Sequence, residues 1–313
     1  TPIFTALGGN NNSYTGPTES GLGKITMSVA ANNTCTVPVT SMDGVTVEFD
    51  FGEGNPAWLT SEVKTTGTSS GSNQQNVIFK LVNANLSGAK DVTVTLKNKI
   101  GGADRQFVIS PNIGSLSVVK NSSTSSADSF SGTNITLYKL GGTTSYMQLK
   151  TTYWGGSTLT SNDGAVSVST VSTSGDVITY QVTANSVKSG VTLTLASRVD
   201  PSKTKAYSVT IKEFVAPTLN TTSKNISSIK NNGGSTTVTV TPPTDGYGYK
   251  VKSYDSYYIS YSNSGNNYTI NSVRVGSTSI VFCNKMDDTK TATLYVTINN
   301  TINYEGMAVW DYN

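Results

Sequence analysis

The 313-residue chain contains no histidine, and this absence removes several kinds of chemistry at once. Without imidazole there is no Ser-His-Asp or Cys-His catalytic arrangement and no histidine-based metal site. Only two cysteines are present, Cys35 and Cys283, which are too few for a structural zinc site. They fall in different domains on the boundaries given below, so we predict two buried free thiols and no disulfide.

Charge is scarce as well. Charged residues make up 13% of the chain, the net charge is +3, and no basic run is present that could follow a phosphate backbone. We therefore expect no nucleic-acid partner. No apolar stretch approaches the length of a membrane span, so we also expect no such span.

The acidic residues stand mainly in turn sequences such as "SMDGV", "SNDGA" and "MDDTK". A pair of carboxylates would suffice for a glycosidase, but Asp-Gly in a turn serves the backbone first. Asp287 and Asp288 could offer oxygens to calcium, yet no dense ligand loop of the EF-hand type surrounds them. We predict a protein that is not an enzyme and has no cofactor and no metal site.

What the chain has in abundance is serine, threonine, asparagine and glycine around short apolar runs. The runs alternate apolar and polar residues, Gly, Asn, Asp and Ser clusters separate them, and no long window has helical periodicity. This pattern predicts an all-β protein with polar, uncharged outer faces.

An internal repeat gives the domain organisation. "VTVTLKNKIGGADRQFVIS" (Val92–Ser110), "VTLTLASRVDPSKTKAYSVTI" (Val191–Ile211) and "TSIVFCNKMDDTKTATLYVTI" (Thr278–Ile298) each read as strand, polar turn and strand. The second and third copies align without a gap, so that Arg198, Asp200 and Lys203 stand opposite Lys285, Asp287 and Lys290. The spacing of the copies suits β-sandwich domains that each end in the same hairpin.

The repeat predicts three tandem Ig-like β-sandwich domains, joined by short linkers into a rod. Its boundaries are a polar arm at 1–22, domains at 23–111, 112–213 and 214–300, and an aromatic tail at 301–313.

The first of these domains resembles the BACON family of Bacteroidetes-associated Ig-like domains. The resemblance rests on Trp58-Leu59, a Gly/Ser-rich loop, an alternating strand with Val77, Phe79 and Leu81, the nearby Asn83 and Asn85, and Lys90 before the closing hairpin. The later domains look more like generic bacterial Ig-like repeats. The resemblance implies an Ig-like fold and a place among surface proteins and glycan enzymes of gut bacteria, or virion proteins of their phages, including the crAss-like phages.

The segment "YGYKVKSYDSYYISYSNSGNNY", 247–268, is the most aromatic part of the chain. Alternation predicts two strands paired through a turn at "KSYDS", with most of the rings in the sandwich core. Tyr258 is expected to be exposed, and Tyr254 is the second ring that could stand outside the core. Stacking on a sugar needs a flat pair of exposed rings, so these two tyrosines are the candidate glycan or partner contacts in this segment.

Two tryptophans are further candidates for such a contact, Trp58 and Trp154. Trp58 lies between Pro56 and Leu59 and could instead fill the core or its rim. The tail "YEGMAVWDYN" carries a candidate assembly contact, because its apolar side chains are costly to leave in water. It either adds an edge strand to the third domain or docks on a partner, through Met307, Val309, Trp310 and Tyr312.

Two functions fit these features. The first is a phage virion structural protein, a capsid decoration, fibre or tail-associated component that displays its domains for weak surface or glycan contacts. The alternative is a bacterial cell-surface adhesin or glycan-binding module. The partners expected are other virion or surface proteins and host-surface glycans, with several copies on one particle. Thr1 suits an excised initiator methionine, although a removed leader or an expression boundary would leave the same start.

Overall fold

The computed structural model describes residues 12–16, 22–29, 33–52, 55–69, 72–82, 88–112, 114–153, 155–228 and 233–300. The regular elements in these ranges are all β-strands, so the predicted all-β class is confirmed. The strands form six sheets that fall into three consecutive pairs along the chain, called here the first, second and third sheet pairs. No described residues form a helix that could cross a lipid bilayer.

The strands of the first sheet pair are β1 (Asn12–Thr15), β2 (Gly23–Ser28), β3 (Thr34–Ser41), β4 (Val45–Asp50), β5 (Leu59–Ser69), β6 (Ser72–Leu81), β7 (Val92–Asn98) and β8 (Arg105–Asn112). Those of the second are β9 (Val119–Ser123), β10 (Ser129–Ser131), β11 (Asn134–Lys139), β12 (Tyr146–Thr152), β13 (Ser157–Ser161), β14 (Val166–Ser174), β15 (Val177–Ala184), β16 (Lys188–Ser197) and β17 (Thr204–Glu213). Those of the third are β18 (Thr218–Leu219), β19 (Ser223–Ser228), β20 (Ser235–Thr241), β21 (Tyr249–Tyr254), β22 (Ile259–Ser264), β23 (Asn267–Ser272), β24 (Gly276–Asn284) and β25 (Thr291–Asn300).

The three sheet pairs share the order of four strands in one sheet and of three strands in the other, and they differ in the additional edge strands. In the first pair, sheet β1-β2-β8-β7-β4 accompanies sheet β3-β6-β5; in the second, β10-β11-β17-β16-β13 accompanies β14-β15-β12-β9. In the third, β19-β25-β24-β21 accompanies β18-β20-β23-β22. This division of strands between two sheets is that of an immunoglobulin-like sandwich. The chain is therefore a tandem of immunoglobulin-like sheet pairs, while the exact domain boundaries stay a prediction.

Each sheet pair ends with a strand that lies parallel to one of its first strands. β2 pairs with β8, β11 with β17 and β19 with β25, each over six residue pairs in unbroken register. The strand before the last is antiparallel to it, which gives the hairpins β7–β8, β16–β17 and β24–β25. These are the three repeated hairpins that the sequence predicted, and the structure confirms them.

Alternation of side chains places the core between the two sheets of each pair. In β7 the residues Val92, Val94 and Leu96 are buried while the threonines between them are not. Rings join the sheets across the core: Phe79 on β6 meets Phe107 on β8 edge to face, with ring centroids 5.8 Å apart. Buried apolar surface of this kind contributes roughly 25 cal/mol per Å² to folding.

Both cysteines are free and buried, so the prediction of two unpaired thiols is confirmed. Cys35 belongs to β3 and Cys283 to β24, in the first and third sheet pairs. Burial raises the pKa of the Cys35 thiol to about 11. Burial also raises the pKa of Cys283, and a hydrogen bond to the Asp288 carboxylate raises it further.

Candidate binding surfaces

The tyrosine-rich segment contributes two strands, but they do not pair with each other as the sequence analysis expected. β21 pairs with β24 and β22 pairs with β23, so the two strands lie at the edges of opposite sheets. The prediction of a hairpin through "KSYDS" is wrong because β21 ends at Tyr254 and the residues that follow cross from one sheet to the other. Two amphipathic strands present the same alternation whether they face each other or pair side by side.

Most rings of the segment do fill the sandwich, as predicted. Tyr268 is buried and meets Phe282 at a centroid distance of 4.9 Å, and Tyr249 lies 6.3 Å from Tyr268. Burial raises the pKa of Tyr249 to about 12, with a smaller contribution from its hydrogen bond to Tyr268. These tyrosines are core residues with a hydroxyl at the rim.

Of the two tyrosines that were expected outside the core, Tyr254 is exposed and Tyr258 is partly buried. Tyr258 is partly buried against the core of the third sheet pair, and Tyr257 beside it is 50% exposed. The expectation for Tyr258 is therefore corrected, because its ring lies over Gly276, where an added Cβ would be 2.6 Å from its Cε1. Tyr257 instead stacks under the guanidinium of Arg274, with Cζ 3.9 Å from the ring centroid, and their side chains also form a hydrogen bond.

Tyr254 is exposed, as predicted, and flanks a shallow pocket of the third sheet pair. The ring is 43% exposed and meets Tyr261 edge to face at 5.0 Å. The opposite side of the pocket is Tyr295, a ring 63% exposed that the sequence analysis did not single out. The remaining lining is short and polar, formed by Ser253, Asp255, Ser277, Thr278 and Ser279.

Trp58 has no face open to a sugar. It is 1% exposed, and Phe51 meets its ring edge to face at 6.0 Å. Lys90 extends over Phe51, with Nζ 5.0 Å from the ring centroid, and so covers this corner of the core. The core interpretation of Trp58 applies, and its role as a glycan contact is withdrawn. Trp154 and the tail residues Met307, Val309, Trp310 and Tyr312 lie outside the described residues.

The turns of the three closing hairpins are held in the same way. The first residue after β7, β16 or β24 is basic, and its backbone N–H donates to a glycine carbonyl: Lys99 to Gly44 at 3.1 Å, Arg198 to Gly156 at 3.0 Å and Lys285 to Gly248 at 3.1 Å. Each glycine directly precedes a strand and has a positive φ, between 79° and 88°, that other residues rarely adopt. These glycines were not predicted from the sequence. Their signal is a single glycine at the start of the strand that pairs with the closing hairpin.

The second and third sheet pairs meet in a contact built on aromatic rings. Phe214 stacks on Tyr138 of β11, with centroids 4.5 Å apart and planes 16° apart. Tyr247 stands edge-on to both rings, at 5.6 Å from Tyr138 and 5.3 Å from Phe214. A hydrogen bond with Tyr138 and then burial raise the pKa of Tyr247. Arrangements of this kind add about 0.5–1.5 kcal/mol per ring pair beyond buried area.

A buried carboxylate completes the same junction. Asp287, 4% exposed, accepts a hydrogen bond from the Gly141 N–H of the second sheet pair at 3.0 Å. It also accepts from the N–H of Thr289 at 2.9 Å and from its hydroxyl at 2.7 Å. Burial alone would raise the pKa of this carboxyl, but these hydrogen bonds and the nearby Lys290 leave it below the usual range.

A buried amide connects the linker to the third sheet pair, and an ion pair connects the end of β17 to it. The side-chain amide of Asn284, which is fully buried, donates to the carbonyl of Val215 and to the carboxylate of Asp245, both at 2.8 Å. Lys290 forms an ion pair with Glu213 at 2.6 Å. The short linker "VAPTL", 215–219, is therefore fixed to the sheet pair that follows it.

The first and second sheet pairs also meet through a closing-hairpin turn. The Gly88 N–H of the first pair donates to the carbonyl of Val199 at 2.9 Å. Val199 lies in the turn between β16 and β17 and is 1% exposed. Both junctions thus place the closing-hairpin turn of one sheet pair against the sheet pair that precedes it.

The equivalent turn of the first sheet pair is open. Ile100 is 72% exposed there, and Met42, in the turn between β3 and β4, is 73% exposed. The two side chains line one pocket together with Asp43, Asn98, Gly101, Gly102, Thr40, Ser41 and Ser72. Large apolar side chains with this exposure, grouped around one depression, are typical of a contact surface.

The described residues contain no group of three or more Cys, Asp or Glu side chains that could hold a metal ion. The carboxylates of Asp200 and Asp287 serve their own turns, as the sequence analysis expected. Asp200 accepts from the N–H and hydroxyl of Ser202 at 3.1 Å and 2.6 Å, and these bonds, led by the hydroxyl, lower its pKa.

No protein-family model matches the chain, and no curated protein matches it in sequence. Solved structures are similar at low identity. Dpr2 Ig1-Ig2 in complex with DIP-Theta Ig1-Ig3 is 8% identical, with 93% of this chain and 99% of that one covered and a TM-score of 0.29. Domains 4–9 of surface layer protein SbsC are 15% identical, with coverage of 95% and 50% and a TM-score of 0.23. The titin domains Z1Z2 in complex with telethonin are 14% identical, with coverage of 60% and 100% and a TM-score of 0.21. None of these similarities assigns a role, and the immunoglobulin-like fold rests on the chain's own strand order.

Proposed function

We propose that this chain is a non-enzymatic structural protein of a phage virion, which displays immunoglobulin-like domains on a capsid, fibre or tail for weak contacts with surfaces or glycans. The observation that supports it best is a tandem of sheet pairs fastened to one another through buried contacts. A fastened tandem keeps its outer surfaces at a fixed distance from an anchor. Many copies on one particle then turn weak contacts into firm attachment.

The outer surface of the third sheet pair supports the contact role. On β25 the outward residues Thr293, Tyr295 and Thr297 alternate with a buried leucine, valine and isoleucine. A hydroxyl-rich face with an exposed ring offers hydrogen bonds and a stacking surface, and Asp255 is the charged residue among those that line the pocket. This combination suits ligands rich in hydroxyl groups, such as sugars. Tyr254 lies across the same pocket and remains a candidate contact. Trp154 also remains a candidate contact on the strength of its sequence, and it lies outside the described residues.

The location of the protein, on phage particles or on uninfected bacterial cells, distinguishes the virion protein from the alternative, a bacterial adhesin. Antibodies raised against the purified chain are applied to phage particles and to uninfected host cells, and immunogold labelling is examined by electron microscopy. The virion proposal expects gold on the particles and none on uninfected cells. Gold on uninfected cells, with the chain in their envelope fraction, would support the adhesin instead.

The contact role is tested separately. The chain is immobilised at high density on beads, and binding to an array of bacterial surface glycans is compared for wild type, Tyr254→Ala and Tyr295→Ala. We expect each substitution to reduce binding about tenfold, which corresponds to the loss of about 1.4 kcal/mol of contact energy between the ring and the ligand. Val171→Ala, an exposed site on β14, is the matched control. Equal binding by all four proteins would contradict the role of this pocket.

The tail is proposed as an assembly contact on the strength of its sequence. Deletion of residues 301–313 should abolish incorporation into particles or lower the melting temperature. The sequence predicts that deletion of residues 1–20 leaves the melting temperature unchanged. The structure corrects this expectation, because the deletion also removes β1, which pairs with β2 over four residue pairs, and a lower melting temperature is expected. Normal incorporation and melting without the tail would contradict this part of the proposal.

A further inference from the structure

The three closing-hairpin turns are structurally equivalent, but two of them contact a preceding sheet pair and the third is exposed. In each turn a basic residue donates its N–H to the glycine before the neighbouring strand, and the next residue is apolar. That apolar residue is Ile100 in the first sheet pair, Val199 in the second and Met286 in the third. The shared anchor fixes the three residues at the same point of the fold.

Two of the three turns contact the preceding sheet pair of the same chain. The Val199 turn lies against the first sheet pair through Gly88, in the segment that leads into β7. The Met286 turn lies against the second sheet pair, where the neighbouring Asp287 takes the N–H of Gly141. In both cases the turn packs against one end of the preceding immunoglobulin-like sandwich. Among the described residues, nothing of this kind covers Ile100.

One end of the third sheet pair resembles the end of the first sheet pair on which the Val199 turn packs. The segment that leads into β24 corresponds to the one that carries Gly88 before β7. It exposes Val273 to 41% and carries Arg274 stacked on the exposed ring of Tyr257. The Ile100 pocket includes the Asp43 carboxylate, which can accept hydrogen bonds from Arg274, and Lys99 beside Ile100 is exposed as well.

We propose that the Ile100 turn of one copy docks on the Val273 end of the third sheet pair of a second copy, so that chains associate head to tail. The contact repeats between molecules the arrangement of the first internal junction, in which the Val199 turn lies against the segment that leads into β7. The two surfaces differ, so the contact is heterologous and each docked copy leaves one free surface of each kind. Such contacts extend into rows or close into rings according to the rotation between copies.

The test uses three matched substitutions in the full chain, each of which places a lysine at an exposed aliphatic position. Ile100→Lys blocks the turn, Val273→Lys blocks the opposite end, and Val171→Lys on β14 is the control. Circular dichroism and melting temperature establish that each variant is folded. Sedimentation velocity over a range of concentrations then measures association.

We expect wild type and Val171→Lys to associate as concentration rises, and Ile100→Lys and Val273→Lys to remain monomeric. An equal mixture of the two blocked variants should form dimers and stop there, since each retains one intact surface. A wild-type chain that is monomeric at all concentrations would overturn the proposal. So would unchanged association of Ile100→Lys, or a mixture in which the blocked variants stay monomeric.

Discussion

At the scale of single residues, hydroxyl groups in the core have specific partners. The Tyr207 hydroxyl, 1% exposed, accepts the N–H of Val118 at 3.1 Å and so connects β17 with the start of the second sheet pair. The Tyr180 hydroxyl donates to the carbonyl of Ser157 at 2.8 Å and joins β15 with β13 in the opposite sheet. A buried N–H or carbonyl without a partner is costly, so each tyrosine fixes a backbone position as well as filling space.

Tyr207→Phe removes only the hydroxyl and leaves the Val118 N–H buried without its acceptor. We expect the free energy of unfolding to fall by about 1–3 kcal/mol, the usual cost of such a group. Urea unfolding followed by circular dichroism measures the change. Tyr295→Phe is the control, because this ring is 63% exposed, and it should change stability very little. Equal effects of the two substitutions would show that the Val118 hydrogen bond is not what stabilises the strand.

Gly141→Ala tests the close approach between the second and third sheet pairs. A Cβ at this position would lie 2.0 Å from Oγ1 and 2.7 Å from Cβ of Thr289, so one of the two loops must move. We expect a loss of about 1–3 kcal/mol, as for other overpacked sites, and a lower melting temperature in calorimetry. Gly164→Ala has open space around the new methyl group and should be neutral. A neutral Gly141→Ala would mean that the two pairs are not in contact there.

At the scale of strands, the fold was predictable from the sequence wherever two alternating segments are joined by a short turn sequence. The closing hairpins have both, so their strands, their order and their buried faces were predictable. The pairing of β21 was not, because its partner β24 lies further along the chain and the nearer β22 has the same alternation. Tyr258 was expected to be exposed and is partly buried, while its neighbour Tyr257 is exposed. These residues follow a crossing between sheets, where strand periodicity no longer applies.

The candidate surfaces were less predictable than the strands. Tyr254 was singled out as a ring of the predicted turn "KSYDS", and it is exposed at the end of β21. In contrast, Tyr295 resembles in sequence any other residue of an alternating strand. The junction between Gly141 and Asp287 joins residues 146 positions apart. Sequence alone identified Asp287 as a turn residue, and only the packing of two domains reveals its second role.

At the scale of the whole molecule, the junctions decide whether the sheet pairs respond together. The contact between the second and third pairs combines stacked rings, a buried amide and a buried carboxylate, and it is therefore sensitive to the ionisation of Asp287. The first and third pairs each contain one buried thiol. The ionisation of Asp287 therefore reports on the junction, and the two thiols report on the first and third sheet pairs separately.

Asp287→Asn should destabilise the junction by about 1–3 kcal/mol at neutral pH, because hydrogen bonds to a charged group are lost or weakened. The folded pKa of Asp287 lies below the usual value of about 3.9. Its stabilising effect is thus present above that value and disappears as pH falls through the folded pKa. Urea unfolding between pH 7 and pH 2.5 should show the two proteins converging in acid. A difference that is constant with pH would contradict the ionic role of the carboxylate.

Thiol labelling should distinguish the opening of the first and third sheet pairs. Thiolates are the reactive form, and burial with a raised pKa keeps both cysteines unreactive in the folded protein. We expect no labelling by a maleimide at pH 7, and labelling in urea at two rates, one for each sheet pair. Mass spectrometry of peptides assigns the rates to Cys35 and Cys283. Rapid labelling of either thiol in the absence of urea would contradict its burial.

The parallel strands at the end of each sheet pair also determine how the chain carries tension. When its two ends are pulled apart, β2 and β8 are drawn in opposite directions along their own length, and so are β11 and β17, and β19 and β25. All six residue pairs of each contact share the load, so their hydrogen bonds must break together. A hairpin pulled at its open end would instead peel apart one bond at a time. A tether made of such sheet pairs therefore resists sliding until a whole strand is released.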